Sequence, residues 1–136
     1  MKVLFICRQN AGRSQFAEAF YNQLTGSNDA DSAGTQVDIP GQTLEDRWKA
    51  GGAYAVPVMD EKGIDARSQQ TKQLTQHMLT KYDRIVRIVR DEHCPDWLLD
   101  YKGVLSWDID DPKGLGLEAT RHARDLVERK VKELVE

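Results

Sequence analysis

The chain has 136 residues, of which 40% are hydrophobic and 30% are charged, and its formal net charge is -3 with a pI near 5.6. This balance is typical of a globular domain with a single core and excludes an intrinsically disordered chain. The acidic charge gives no electrostatic basis for binding nucleic acid, and no apolar run approaches the roughly 20 residues that a membrane span needs. Without a signal-peptide pattern at its start and with only two cysteines, the chain is expected to fold as one domain over residues 1–136 in the cytoplasm.

The first third of the chain predicts a strand, a helix and a second strand. Residues 3–6 are a short continuous apolar run, which is typical of a strand covered on both faces. Apolar residues at helical spacing then predict a helix that begins after Arg13 and ends at Gly26, a suitable C-cap. A weaker pattern over residues 30–34 predicts the second strand.

The middle of the chain predicts irregular structure with short helices. Residues 41–52 have some helical spacing, but two adjacent glycines at the end favour a mobile loop. Pro57 suits the first turn of a short helix that ends at Gly63, and Thr75 suits the N-cap of another short helix.

The last third predicts two strands and a long helix. Residues 84–89 and 104–107 have strand character, and a single apolar stripe predicts a terminal helix over residues 123–135. Strands that alternate with helices indicate an α/β fold with a parallel sheet and helices on both faces.

Cys7 stands at the carboxyl end of the first strand, where open parallel sheets place their working sites. A thiol is a strong nucleophile only as thiolate, and positive surroundings favour that form. The backbone N–H groups of residues 8–12 can surround a point above the sulfur, and the helix that follows presents its positive end to the same point. The stretch therefore predicts a site for an oxyanion beside a nucleophile.

Four residues near Cys7 strengthen this hypothesis. Asn10 and Gly12 tolerate the positive φ angles of a tight anion-binding loop, Arg13 offers a planar fork for two oxygens, and Ser14 can donate a hydrogen bond to sulfur. The alternative is that Cys7 is a small buried apolar residue, because an isolated Cys-x5-Arg pattern is weak. The strand before it and the helix after it favour the functional interpretation.

The stretch "CRQNAGRS" followed by "QFAEAF" resembles the phosphate-binding loop of the low-molecular-weight protein tyrosine phosphatase superfamily, which also contains thioredoxin-coupled arsenate reductases. "SAGT" at 32–35, "KGID" at 62–65, "KQLT" at 72–75 and "WDIDDP" at 107–112 extend the resemblance along the chain. It implies a four-stranded parallel sheet and an oxyanion-binding loop made of Cys7, Arg8, Gln9, Asn10, Ala11, Gly12, Arg13 and Ser14. It further implies that Cys7 is the nucleophile, Arg13 binds the oxyanion, and Ser14 stabilises the thiolate.

Three carboxylates precede Pro112 and offer a general acid for the leaving oxygen. By itself this segment is better explained as a polar turn. The resemblance assigns the acid to the residue directly before the proline, which is Asp111, and not to Asp108 or Asp110.

The sequence leaves two enzymatic functions open. Cys94 stands where the last redox cysteine of the thioredoxin-coupled reductases stands, but the intermediate cysteine, expected near Val89, is missing. Cys94 is better explained as a residue at the start of a helix. The aromatic pair that follows Asp-Pro in the tyrosine phosphatases is also missing, since Lys113 and Gly114 occupy its place. Trp48 is a candidate replacement for that aromatic wall, with ordinary packing as its alternative.

We therefore expect hydrolysis of a phosphorylated protein or small phosphate ester through a phosphocysteine intermediate, with no required cofactor. The first alternative is arsenate reduction with an external thiol reductant, and the second is a non-catalytic oxyanion-binding protein. Nucleic acid and membrane partners are not expected, and the sequence leaves the oligomeric state open. Because some reductases of the family bind K⁺ beside the loop, the resemblance also implies a candidate cation site at Asn10, Glu18, Ser32 and Asp65.

Overall fold

A four-stranded parallel sheet with the strand order β2-β1-β3-β4 forms the centre of the molecule, in a computed structural model that describes residues 1–136. Its strands are β1 (Val3–Cys7), β2 (Ala30–Gly34), β3 (Arg84–Arg87) and β4 (Val104–Ser106). The observed sheet confirms the predicted α/β fold class.

Five α-helices surround the sheet: α1 (Arg13–Thr25), α2 (Leu44–Lys49), α3 (Ala55–Asp60), α4 (Asp96–Leu99) and α5 (Leu117–Val135). Two short 3-10 helices, Gln76–Lys81 and Asp91–His93, complete the regular structure. No helix is both long enough and apolar enough to cross a membrane.

The side chains of β1 alternate between two hydrophobic clusters, one on each face of the sheet. Phe5 and Cys7 belong to the larger cluster, together with residues of α1, α3 and α5, whereas Leu4 and Ile6 belong to the smaller one. All five residues of β1 are buried, which explains why this strand is a continuous apolar run. Cys94 packs against the smaller cluster, so the two cysteines lie on opposite faces of the sheet.

Both C-terminal strands are shorter than their apolar runs predicted. β3 ends at Arg87 rather than at residue 89, although the Ile88 N–H still donates to the Ile6 carbonyl at 2.6 Å. β4 ends at Ser106, and the Trp107 N–H donates to the Arg87 carbonyl at 2.9 Å. The apolar runs overestimated the lengths of β3 and β4, because residues beyond the last paired position of a strand can remain buried in the core.

Residues 41–52, predicted as loop-like with some helical spacing, are helical over half of the segment, which folds as α2. Thr43 caps this helix by accepting a hydrogen bond from the Asp46 N–H at 3.1 Å, a signal that the two glycines obscured. Gly51 and Gly52 both have positive φ angles, 93° and 83°, and turn the chain from α2 toward α3.

Glu61, at the C-terminus of α3, joins that helix to α5. Hydrogen bonds from Arg121, and then from Arg124, lower the pKa of Glu61 from 4.5 to about 2. A carboxylate whose pKa is lower in the folded state stabilises the fold above its unfolded pKa, and this contribution is lost as the pH falls through the folded pKa. The exposed Glu61–Arg121 ion pair is therefore expected to make a small, pH-dependent contribution to the free energy of unfolding, because water screens the two charges.

We expect Glu61→Gln to lower the free energy of unfolding at neutral pH and the difference from wild type to shrink as the pH falls from 4.5 toward 2. Urea denaturation at several pH values measures this difference. Glu133→Gln removes an exposed carboxylate near the end of α5 and serves as the matched control. If the loss of unfolding free energy in Glu61→Gln does not change with pH, the ionised Glu61 carboxylate is not the source of the pH-dependent stability.

Candidate active site

The loop between β1 and α1 is organised around Asn10, the one non-glycine residue with a positive φ angle, 57°. Its side-chain oxygen accepts hydrogen bonds from the Lys72 N–H at 2.9 Å and from Gln15 Nε2 at 3.1 Å. Its Nδ2 donates to Ser14 Oγ at 2.7 Å. Asparagine tolerates left-handed backbone better than most residues, and these buried contacts hold it there.

The Cys7 sulfur lies 2.9 Å from the Ser14 hydroxyl, and both side chains are buried. Because Ser14 Oγ already accepts the hydrogen of Asn10 Nδ2, its own hydroxyl hydrogen is free to point at the sulfur. The Ser14 hydroxyl can therefore donate its hydrogen to the Cys7 sulfur.

Arg13 is held in one orientation by two backbone carbonyls. Its Nη1 donates to the carbonyl of Ile88 at 2.6 Å and to that of Ile109 at 2.8 Å, and the side chain is only 6% exposed. β3 ends at Arg87, and the carbonyl of the next residue, Ile88, points toward the guanidinium instead of pairing with a neighbouring strand. The opposite edge of the guanidinium, Nε and Nη2, stays available for two oxygens of an oxyanion.

Asp111 faces Arg13 across the site, with its Oδ2 3.5 Å from Arg13 Nη2. Its Oδ1 accepts a hydrogen bond from the Lys113 N–H at 3.0 Å, which fixes the carboxylate at the cavity wall. Asp110 points away and pairs with Arg90 at 3.1 Å, and both partners are largely exposed. The structure thus brings Asp111, and neither Asp108 nor Asp110, to the cavity that contains Cys7.

A cavity of about 380 Å³ opens above Cys7. Sequence reasoning did not identify four of its lining side chains: Ile39, Arg47, Tyr54 and Thr120. No local pattern marks them, because Ile39 comes from the loop after β2, and α2, the start of α3 and α5 bring the other three from distant parts of the chain. Trp48 was one candidate for the aromatic wall, but it does not line the cavity and instead packs against Arg67, 5.8 Å from the ring centroid; Tyr54 is the aromatic residue that lines it.

Residues outside the motif hold the loop from behind. The Gln15 side chain donates to the Asn10 carbonyl at 3.0 Å and to the Gln70 carbonyl at 2.9 Å, and it accepts from Gln69 Nε2 at 2.7 Å. Gly34 ends β2 directly beside the loop, where a Cβ atom would lie 2.6 Å from the Arg8 carbonyl oxygen. The loop is therefore preorganised by packing and hydrogen bonds that the sequence motif does not reveal.

Cys94 is not part of this site. It lines a separate cavity of about 270 Å³, and its Sγ lies 3.4 Å from the Arg90 carbonyl and 3.6 Å from Arg87 Nη1. Burial raises the pKa of the Cys94 thiol despite the nearby arginine, which favours the protonated form. Cys94 also precedes α4 by two residues, so it does not start that helix.

The four candidate cation ligands do not fit a bound K⁺ as the structure places them. Glu18 Oε1 accepts from Ser32 Oγ at 2.8 Å and lies 3.6 Å from Lys72 Nζ, so an ammonium group already supplies the positive charge there. Burial raises the pKa of Glu18, which further weakens it as a cation ligand. Asp65 binds Arg67 at 3.2 Å instead.

This chain is similar to known proteins over almost its whole length. The family model for low molecular weight phosphotyrosine protein phosphatase matches residues 2–136. The glutaredoxin arsenate reductase of Synechocystis sp. is 28% identical, covering 98% of this chain and 95% of that protein. A putative arsenate reductase of Halobacterium salinarum is 30% identical, covering 96% of this chain and 87% of that protein. The structure of a low molecular weight protein tyrosine phosphatase from T. tengcongensis has the same fold, with a TM-score of 0.79 and 23% identity over 99% of this chain and 97% of that one.

Proposed function

The chain belongs to the low molecular weight phosphotyrosine protein phosphatase family, and on that premise we propose that it is a cysteine-dependent phosphomonoester hydrolase. Members of this family are cysteine-based enzymes. The proposal assigns the nucleophile to Cys7, oxyanion binding to the loop and Arg13, and acid–base catalysis to Asp111.

In the first step the Cys7 thiolate attacks phosphorus while the bond from phosphorus to the ester oxygen breaks. Arg13 and the loop N–H groups stabilise the charge on the equatorial oxygens. Protonated Asp111 donates its proton to the leaving oxygen, so the alcohol or phenol departs neutral. The products of this step are the free alcohol and phosphocysteine, with Asp111 ionised.

In the second step Asp111 takes a proton from water as the water oxygen attacks phosphorus. The sulfur–phosphorus bond breaks, the thiolate returns, and inorganic phosphate leaves. No electrons are transferred and no metal is required, so one thiol and one carboxylate suffice for the complete cycle.

A cytoplasmic location suits this chemistry, since Cys7 must remain reduced.

The observation that carries this proposal is the composition of the Cys7 cavity. It contains one thiol, one fixed guanidinium and one carboxylate, with the carboxylate 3.5 Å from the guanidinium. Those are the groups that ester hydrolysis needs. A protein that only bound oxyanions would gain nothing from a nucleophile and an acid placed together.

Arsenate reduction is the second candidate, because curated relatives of similar length carry that name. Cys7 would attack arsenate and release water, and a thiol reductant would then supply two electrons as it is oxidised to a disulfide. Cys94 is poorly placed for this task, since it packs on the opposite face of the sheet and lines another cavity. The reductant would therefore be an external thiol.

Two assays on wild type, Cys7→Ser and Cys94→Ser test the proposal. We expect wild type and Cys94→Ser to hydrolyse p-nitrophenyl phosphate at similar rates and Cys7→Ser to be inactive. Arsenate-dependent oxidation of a thiol donor, measured on the same variants, separates the two enzymes. If wild type reduces arsenate efficiently and Cys94→Ser does not, arsenate reduction replaces ester hydrolysis as the preferred function. If wild type is inactive in both assays, a non-catalytic oxyanion-binding protein is favoured.

A further inference from the structure

Two cationic side chains without acidic partners line the cavity above Cys7. Arg47 projects from α2, and Lys113 follows Asp111 and Pro112 in the loop before α5. Neither side chain makes a salt bridge or a side-chain hydrogen bond, whereas most other arginines of the chain are paired with carboxylates. Arg47 is half-buried, so its position is not that of a freely solvated surface charge.

The carboxylate that lines the cavity does not pair with either of these two cations. Asp111 is the single acidic lining residue, and its charge is directed at Arg13. Asp38, which does not line the cavity, accepts a hydrogen bond from Gln9 Nε2 at 3.2 Å. The wall around the leaving group is therefore net positive, although the whole chain carries a formal charge of -3.

Binding of the phosphoryl group does not require Arg47 or Lys113. The loop N–H groups, the N-terminus of α1 and Arg13 already provide donors for the oxyanion. Lys113 lies two residues beyond Asp111, the proposed donor to the leaving oxygen, so it lies on the leaving-group side of the cavity. Tyr54 and Ile39 add aromatic and apolar surface that suits a ring or short carbon chain.

We propose that this cavity selects phosphate monoesters whose leaving group carries a second negative charge, with Arg47 and Lys113 as the specificity-determining residues. This inference rests on the proposed function for the identity of the reaction. The inferred preference for an acidic leaving group also explains why Lys113 and Gly114 follow Asp111-Pro112 in this chain. A lysine can bind an acidic group, whereas an aromatic side chain at this position would stack on a ring. A leaving group with a positive charge is disfavoured by the same wall.

Binding of three benzylphosphonates tests the inference without any need for turnover. Their para substituents are carboxyethyl, propyl and aminoethyl, which differ in charge but little in size. We expect calorimetry to show wild type binding the anionic compound about tenfold more tightly than the neutral one and the cationic compound more weakly still, with the differences reduced at high salt.

Charge-removing variants locate the source of this preference. Arg47→Gln combined with Lys113→Gln is expected to bring the three affinities close together, and Lys113→Gln alone, in an exposed loop, to reduce the preference partly. The matched control is Lys130→Gln combined with Lys132→Gln, which removes the same charge about 15 Å farther along α5 from the cavity residue Thr120. The control should keep the wild-type preference.

Hydrolysis of the matching aryl phosphates separates this inference from the proposed function. The esters of 3-(4-hydroxyphenyl)propanoic acid, 4-propylphenol and tyramine have phenols of similar acidity, so their kcat/KM values report tail charge. If none is hydrolysed while the order of binding holds, the proposed function fails and the charge preference stands. Equal affinities for the three phosphonates, or a preference that survives in the Arg47/Lys113 double variant, would overturn the inference.

Discussion

Arg13→Lys is expected to lower kcat/KM for p-nitrophenyl phosphate by about 10²- to 10³-fold. Lysine keeps the positive charge but loses the planar fork, so it cannot donate to the carbonyls of Ile88 and Ile109 and grip two oxygens of the substrate together. The transition state loses more than the bound ester, because its equatorial oxygens carry the developing charge. Steady-state kinetics should therefore show a large fall in kcat as well as a higher KM.

Arg90→Lys is the matched control for this prediction. Arg90 lies on a neighbouring loop, is 66% exposed and pairs with Asp110 outside the cavity. Its substitution should leave kcat/KM within about twofold of wild type, because exposed ion pairs contribute little. Circular dichroism and thermal denaturation establish that both variants fold. A folded Arg13→Lys protein with wild-type kinetics would remove Arg13 from the mechanism.

Asp111→Asn is expected to have an effect that depends on the leaving group. Phenyl phosphate needs protonation of its departing oxygen, so its kcat/KM should fall by about 10²- to 10³-fold. p-Nitrophenolate leaves readily without a proton, so the first step with its ester should be slowed much less. The second step also loses its general base, and phosphocysteine should accumulate from p-nitrophenyl phosphate.

Asp110→Asn is the control that distinguishes the two neighbouring carboxylates. Its side chain pairs with Arg90 and does not line the cavity, so both substrates should be hydrolysed at nearly the wild-type rate. If Asp110→Asn shows the leaving-group dependence and Asp111→Asn does not, the acid has been assigned to the wrong residue. Equal losses in kcat/KM, which reports the first step alone, with both substrates in Asp111→Asn would indicate a structural role instead.

The parts of the site that the sequence predicted are those encoded locally. Cys7, Asn10, Arg13 and Ser14 lie within eight consecutive positions, and the strand and helix on either side fix their arrangement. The continuous apolar run of β1 predicted a strand that is covered on both faces, and all five residues of β1 are buried in the structure. Local pattern and tertiary structure agree at this point, and the prediction of the loop followed from that agreement.

The parts that the sequence did not predict depend on contacts between distant residues. Gln69 and Gln70 support the loop through Gln15 from more than 50 positions away, and no spacing rule connects them. Arg47 and Tyr54 reach the cavity only because α2 folds and the following glycines turn the chain. The end of β3 was misplaced for a related reason, since hydrophobic pattern does not reveal that the Ile88 carbonyl binds Arg13.

The most direct test of the account is to trap the covalent intermediate. Asp111→Asn is mixed with p-nitrophenyl phosphate, quenched rapidly and mapped by peptide mass spectrometry. We predict a single phosphoryl group on the Cys7 side chain, which appears with the first release of nitrophenol and decays to inorganic phosphate when substrate is removed. A phosphoryl group on any other residue, or continued hydrolysis by Cys7→Ser, would contradict the account.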